Sequence, residues 1–241
     1  MKSKIGTFSV IDGLVAPEIL SNNLDFLILD SEHGLENSSE QRARFYSSAL
    51  SGNSEIFIRA NSLDRTIIQK MLEIKPHGLL IPQITTLKDA ENAIDFSFFP
   101  PIGSRGLSPY TRAFDYAADN LNKKKESLNK GLKLGLLIEG KQGMKNLEEI
   151  LKKFSEHIFL IYFGIFDYSN SLGIEPSLSN EKLINSLKEL CDLCHEQKVC
   201  VGTIAQSPDD IRKLQKLNID YIVYKNDSEI LIDGIKSFNC T

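Results

Sequence analysis

Two carboxylates in the middle of the chain each stand just beyond an apolar run. Glu139 ends Leu134-Gly135-Leu136-Leu137-Ile138-Glu139, and Asp167 follows Ile158-Phe159-Leu160-Ile161-Tyr162-Phe163 through Gly164-Ile165-Phe166. A helical pattern from about Met144 to Lys153 separates the two runs. Strand, helix and strand in that order make a right-handed crossover of parallel strands, whose carboxyl ends share one edge of a sheet. Glu139 and Asp167 are therefore expected side by side. Adjacent carboxylates repel unless a cation or a shared proton lies between them. The pair reads either as oxygen ligands for a hard divalent cation or as two solvated loop acids.

The neighbouring apolar runs also end in reactive groups. The second run closes in Asp30-Ser31-Glu32-His33, the third in Arg59, and the fourth in Pro82-Gln83. His33 is either a surface-loop histidine or, beside two acids and an arginine, a proton shuttle, since its pKa lies nearest neutrality. Arg59, which is costly to bury without an anion, either pairs with a protein carboxylate or holds a substrate carboxylate in its planar fork. Arg105 sits in a glycine-flanked loop that it is placed to brace. Lys225 follows the last strand and has the amine a Schiff base needs, with nothing else to mark it as activated.

Eight strand patterns position these groups: Ile5 to Val10, Phe26 to Asp30, Ile56 to Arg59, Gly78 to Pro82, Lys133 to Glu139, Ile158 to Phe163, Val199 to Thr203 and Tyr221 to Tyr224. Helical periodicity intervenes at Ser39 to Leu50, Leu63 to Glu73, Leu87 to Phe98, Leu183 to Gln197 and Pro208 to Leu217. Strand-helix alternation over 241 residues predicts one α/β domain spanning 1–241, a closed (β/α)8 TIM barrel with its chemistry at the carboxyl ends of the strands. One long connection, Phe99 to Gly131, carries Lys123-Lys124-Lys125, read as a solvated helix face.

A net charge of −4 argues against nucleic acid or an acidic membrane as partner. The start, Met1-Lys2-Ser3-Lys4, shows no apolar leader, and no window approaches the ~18 apolar residues of a membrane helix. A cytoplasmic location is expected. Four cysteines, Cys191, Cys194, Cys200 and Cys240, are expected reduced. Cys191-Asp192-Leu193-Cys194-His195 matches a haem-attachment spelling, and Cys200 would extend it to a zinc site; helical spacing makes the pair packing residues on one face.

The order Gly6-Thr7-Phe8, Asp30-Ser31-Glu32-His33-Gly34, Ile58-Arg59, Ile81-Pro82-Gln83, Pro100-Pro101-Ile102-Gly103-Ser104-Arg105-Gly106, Ile138-Glu139 and Gly164-Ile165-Phe166-Asp167-Tyr168-Ser169 with Leu172-Gly173 resembles the HpcH/HpaI aldolase family. The resemblance runs from about Ile5 to Phe238. It implies a metal-dependent class II aldolase on an (α/β)8 barrel, cleaving 2-oxo-4-hydroxy acids to pyruvate and an aldehyde. It further implies that Glu139 and Asp167 hold Mg²⁺ or Mn²⁺, that Arg59 stabilises the pyruvate enolate, and that His33 manages the proton of the aldehyde-derived hydroxyl. Gln83, Gly164 and Phe166 would border the substrate with Arg59 and Asp167. An acid at the end of the third helix of a neighbouring subunit would pair with the histidine, and the matching position is Glu73; a homo-oligomer with sites near subunit boundaries follows.

Three departures stand against the family pattern. Leu137 replaces the common glutamine two residues before the first metal ligand, on the same strand face. Phe166 replaces the alanine of Gly-Pro-Ala-Asp, which places a large ring where a small residue lines the pyruvate pocket. Glu73-Ile74-Lys75-Pro76-His77 replaces an aspartate followed by Gly-Ala. Two readings compete: a carbon-carbon lyase, and a barrel that binds metal and a small 2-oxo acid without efficient turnover. His33 and Arg59 favour the first, Leu137 and Phe166 the second. A Schiff-base aldolase would want a lysine where the chain has Asp167.

Overall fold

Short apolar runs that can be buried on both faces become parallel strands, and eight of them close on one another here. The computed structural model describes residues 2–11, 13–34 and 39–238. Its strands are β1 (Lys4–Ser9), β2 (Phe26–Asp30), β3 (Glu55–Arg59), β4 (Gly78–Ile81), β5 (Lys133–Ile138), β6 (Leu160–Phe163), β7 (Cys200–Ala205) and β8 (Tyr221–Asn226). Each pairs with the next in sequence and β8 returns to β1, giving a closed parallel barrel, the expected TIM architecture.

The helices are α1 (Val15–Asn23), α2 (Ser39–Ala49), α3 (Arg65–Glu73), α4 (Leu87–Ser97), α5 (Leu121–Gly131), α6 (Lys141–Phe154), α7 (Ile165–Leu172), α8 (Glu181–Glu196), α9 (Pro208–Lys216) and α10 (Asp227–Phe238). Their ends follow local chemistry. The Asp64 carboxylate accepts the N–H groups of Thr66 and Ile67, so α3 starts after it and not at Leu63. Thr86 and Asp89 form a capping box at α4. The lysine-rich segment is α5, with no buried residue on it. The helices α1, α7 and α10, for which no pattern was assigned, flank or follow strand ends; α7 begins directly after Gly164 and takes Asp167 into its first turn.

Alternation along each strand decides which side chains face the barrel axis. Phe26 and Ile28, Phe57, Leu80, Leu137, Leu160 and Tyr162 pack together inside, while their neighbours Leu27, Leu29, Ile56, Ile58, Leu136, Ile138, Ile161 and Phe163 pack outward against the helices. The amino-terminal end is plugged by Phe26, Phe57 and Tyr221, whose rings meet edge to face with centroids 5.1–6.3 Å apart. Below them Glu55 accepts from Lys4, Lys133 and the Tyr221 hydroxyl. Burial alone would raise the Glu55 pKa, yet those three donors hold it down at about 2. The same alternation that buries Phe57 and Leu137 aims Arg59 and Glu139 into the opposite mouth.

Phe57 is 1% exposed and touches both other rings of the plug. Phe57→Ala is expected to cost about 3–5 kcal/mol, measured by urea unfolding.

Candidate active site

At the carboxyl end of the barrel an acid and a base on adjacent strands meet. The β2–β3 register sets Asp30 directly across from Arg59. Arg59 Nε donates to Asp30 Oδ1 at 2.9 Å and Nη2 to Oδ2 at 2.5 Å, a two-point pairing. Its third nitrogen, Nη1, lies 3.1 Å from Glu32 Oε2, and the guanidinium sits 4.5 Å above the Phe8 ring. Burial would lower the Arg59 pKa, but the bonds and charge of Asp30, with Glu32 behind them, turn the shift upward. Of the two sequence readings for this arginine, a protein carboxylate is the one the structure supports. The fork is engaged by Asp30, so it does not stand open for a bound acid; Nη1 is the corner turned toward Glu32.

Asp30 also organises the loop that follows it. Its Oδ1 accepts the backbone N–H of Glu32 at 3.0 Å and of His33 at 3.3 Å, an Asx-type closure of the strand end. Glu32 Oε1 lies 3.5 Å from Gln83 Nε2. Glu32 Oε2 is buried and, despite the nearby Nη1, receives no well-directed hydrogen bond. Burial raises the Glu32 pKa, with the charge of Asp30 adding and those of Arg59 and His33 opposing. His33 stands at the lip, two-thirds exposed, with Nε2 4.0 Å from Glu32 Oε2.

Across the mouth, Glu139 follows β5 and its Oε1 accepts the Gln83 backbone N–H at 2.7 Å. Gln83 reaches that position in a left-handed conformation, φ 57°. Gly164 is required opposite: a Cβ there would come within 2.7 Å of the Glu139 Cβ. Burial pushes the Glu139 carboxyl up to about 7, with the charges of Glu32 and Asp167 adding to the rise and the Gln83 N–H and Arg59 opposing it. Glu139 and Asp167 are thus electrostatically coupled at one rim. Among the described residues, no three His, Cys, Asp or Glu side chains converge closely enough to hold a metal ion by themselves.

These groups enclose a cavity of about 430 Å³ whose lining includes Phe8, Arg59, Leu137, Glu139, Tyr162 and Asp167. His33, Gly164 and Phe166 border it as well. Phe166 is 46% exposed and, with Ile165 and Ile204, lines both the mouth and a side cleft of about 130 Å³ that Pro176, Leu178 and Gln206 also line. Glu73 is not brought to this mouth. It ends α3, accepts from Gln69 at 3.3 Å, and lines a separate cavity of about 870 Å³ between α1, α2 and α3 with Ser47, Lys70 and Arg112. Helix α3 carries its chain from the carboxyl rim back toward the start of β4, so Glu73 and His33 of one chain sit at opposite ends.

Other sequence candidates are accounted for by packing. Lys225 pairs with Glu229 and Asp233, which raises its pKa, the wrong direction for a Schiff-base amine. Arg105 is buried over the Phe99 ring at 4.5 Å, and burial lowers its pKa to about 10. Cys191 and Cys194 lie on the core face of α8, and burial pushes the Cys191 thiol up to about 12 and Cys200 up to about 11; such thiols are packing groups. Cys240 lies outside the described residues. No described helix is long and apolar enough to cross a membrane.

The profile of the HpcH/HpaI aldolase/citrate lyase family matches residues 14–223. The chain belongs to this family. It is 25% identical over 228 residues to a 5-keto-4-deoxy-D-glucarate aldolase of Shigella boydii serotype 18, covering 93% of this chain and 86% of the relative. In fold, it superposes on an HpcH/HpaI aldolase/citrate lyase family protein from Burkholderia cenocepacia J2315 with TM-score 0.90 at 20% identity, over 98% of this chain and 93% of the other. Citrate synthase SbnG gives TM-score 0.86 at 20% identity, over 98% and 91%. The family is described as one of aldolases and citrate lyases, and the Shigella relative is an aldolase.

Asp30 and Glu32 stood in the quoted motif without a role, and Tyr162 stood inside an apolar run. The signal for Asp30 was available: aligning the second and third runs at their polar ends pairs it with Arg59.

The raised Glu139 pKa makes a stability prediction. The folded chain retains a proton that the unfolded chain releases near the ordinary glutamate pKa, so this group's contribution is complete at low pH and is lost as pH rises through about 7. In a chelator-treated sample the urea midpoint of the parent is expected to fall between pH 5 and pH 8, and that of Glu139→Gln to fall less. Parallel pH profiles for the two proteins would show that Glu139 does not carry this strain.

Proposed function

We propose that this chain reversibly cleaves a 2-oxo-4-hydroxy acid to pyruvate, or a related 2-oxo acid, and an aldehyde, as a divalent-metal-dependent class II aldolase. The observation that carries the reading is the barrel mouth itself, where Glu139 and Asp167 crowd one wall and the cationic Arg59 stands on the other. The naming of the Shigella relative as an aldolase supports it.

The site suits Mg²⁺ or Mn²⁺. Its donors are hard carboxylate oxygens, burial with the charges of Glu32 and Asp167 raises the Glu139 pKa to about 7, so that a cation beside it would relieve the unfavourable charge, and the missing side chain at Gly164 leaves that face uncrowded. Two protein carboxylates are enough for a cation that keeps several waters or substrate oxygens. Glu139 and Asp167 would hold it, and when bound it would act as a Lewis acid on the keto oxygen of the substrate. Arg59 supplies positive charge where the enolate oxygen develops, held in place by Asp30. As the C3–C4 bond breaks, its electron pair passes to the enolate, and His33 at the lip takes the proton of the C4 hydroxyl, directly or through water. A proton returned to C3 gives the 2-oxo acid. Gln83 fixes Glu139 through its N–H. Phe166, which lines both the mouth and the side cleft, borders the bound 2-oxo acid. Glu73 serves only from a neighbouring copy of the chain, in a homo-oligomer with sites at subunit boundaries.

Leu137 favours a second reading, a barrel that binds the acid and metal without efficient turnover, because it makes part of the cavity floor apolar. Proton exchange at the methyl group of pyruvate with added Mn²⁺ separates the two: the aldolase exchanges, the binder does not.

Two sets of variants test the assignment. Calorimetric titration with Mn²⁺ should show affinity lost by about tenfold or more in Glu139→Gln and in Asp167→Asn; unchanged affinity in both would place the cation elsewhere. Arg59→Lys should abolish both exchange and cleavage, since an ammonium cannot keep the two-point bond to Asp30 while facing the substrate. His33→Ala should lose cleavage and retain exchange. Equal loss of the two activities in His33→Ala would contradict the shuttle role.

A further inference from the structure

One polar group on the floor of the mouth has no work in the fold or in the steps above. Tyr162 lies on β6, 3% exposed, with its ring edge-on to Phe8 at 5.8 Å. Its hydroxyl is buried and has no hydrogen-bond partner among the described residues. Such a hydroxyl costs stability that a phenylalanine in the same space would not. It lines the same cavity as Arg59, Glu139 and Asp167, and burial, with the charge of Asp30 adding and that of Arg59 opposing, shifts its pKa upward, so it remains a donor at any working pH.

Two further observations point to what it donates to. Arg59 has its two-point fork closed on Asp30 and its Nη1 corner turned toward Glu32, so an anion entering beside it cannot be held at two points by that fork and gains from a further donor. The β5–β6 register sets Tyr162 directly across from Leu137, and both face the barrel axis. The polar reach absent from β5 is therefore present one strand away.

We propose that the Tyr162 hydroxyl donates a hydrogen bond to an oxygen of the bound 2-oxo acid, making Tyr162 a substrate-binding residue that supplies from β6 the polar contact that Leu137 cannot supply from β5. The ligand class rests on the aldolase reading.

The test is calorimetric titration with pyruvate, in the presence of Mg²⁺ or Mn²⁺, of the parent, Tyr162→Phe, and Tyr162→Phe combined with Leu137→Gln. Tyr162→Phe should bind pyruvate about tenfold more weakly, the scale of a hydrogen bond to a charged group, with a melting temperature equal to or above that of the parent. Recovery of affinity in the double variant supports the exchange of roles between the strands. Equal pyruvate affinity in parent and Tyr162→Phe overturns the proposal and leaves the aldolase reading standing. A melting temperature lowered by several degrees in Tyr162→Phe, with affinity unchanged, assigns the hydroxyl to the fold and overturns it as well. Failure of the parent to bind pyruvate with either cation overturns both readings together.

Discussion

The cross-strand pair of Asp30 and Arg59 is the constraint on which the mouth of this barrel depends. Both side chains sit at strand ends that face inward, and each would be costly there alone. Joined at two points, they neutralise each other and fix the guanidinium plane over Phe8. The spare acceptor capacity of Asp30 then draws in the N–H groups of Glu32 and His33, so the position of the histidine at the lip is set by the same carboxylate that sets the arginine. Removing Asp30 would disturb the cation, the loop and the proton-handling group in one step.

The opposite wall is built by a different economy. Glu139 is kept in place by one backbone donor, Gln83, and by the absence of a side chain at Gly164. No group among the described residues neutralises it fully: burial and the charges of Glu32 and Asp167 outweigh Arg59 and the Gln83 N–H. One wall is electrostatically settled and the other is left in tension. That asymmetry is what a site needs in order to prefer a positively charged guest on one side and an anionic one beside it.

Much of this was legible in the chain. The runs at 26–29 and 134–138 are apolar through their length because both faces are buried, and the acids that follow them, Asp30 and Glu139, announced the rim. Where periodicity was weak the reading stopped. Helix α7 is eight residues long and starts immediately after a strand, leaving no room for a repeating pattern, and α10 keeps Leu231, Ile232 and Ile235 about half exposed. Aligning the polar ends of the second and third runs sets Asp30 across from Arg59, but that the fork closes on this carboxylate at two points depends on side-chain geometry that no alignment of runs supplies. Tyr162 was hidden for the opposite reason: in an apolar run an aromatic residue looks like filling, and only its unmatched hydroxyl distinguishes it.

The notch at Gly164 has a consequence for how such a barrel can diversify. Any side chain at that position would collide with Glu139, and the alternation of the strands leaves Asp30, Arg59 and Glu139 no other direction in which to point. The walls are therefore closed to mutation. The floor at Leu137 and Tyr162 and the lip at Phe166 are held by packing alone, which tolerates exchange among residues of similar volume. Selection acting on a chain of this kind has its freedom there, and can change which molecule the mouth accepts while its charges stay where they are.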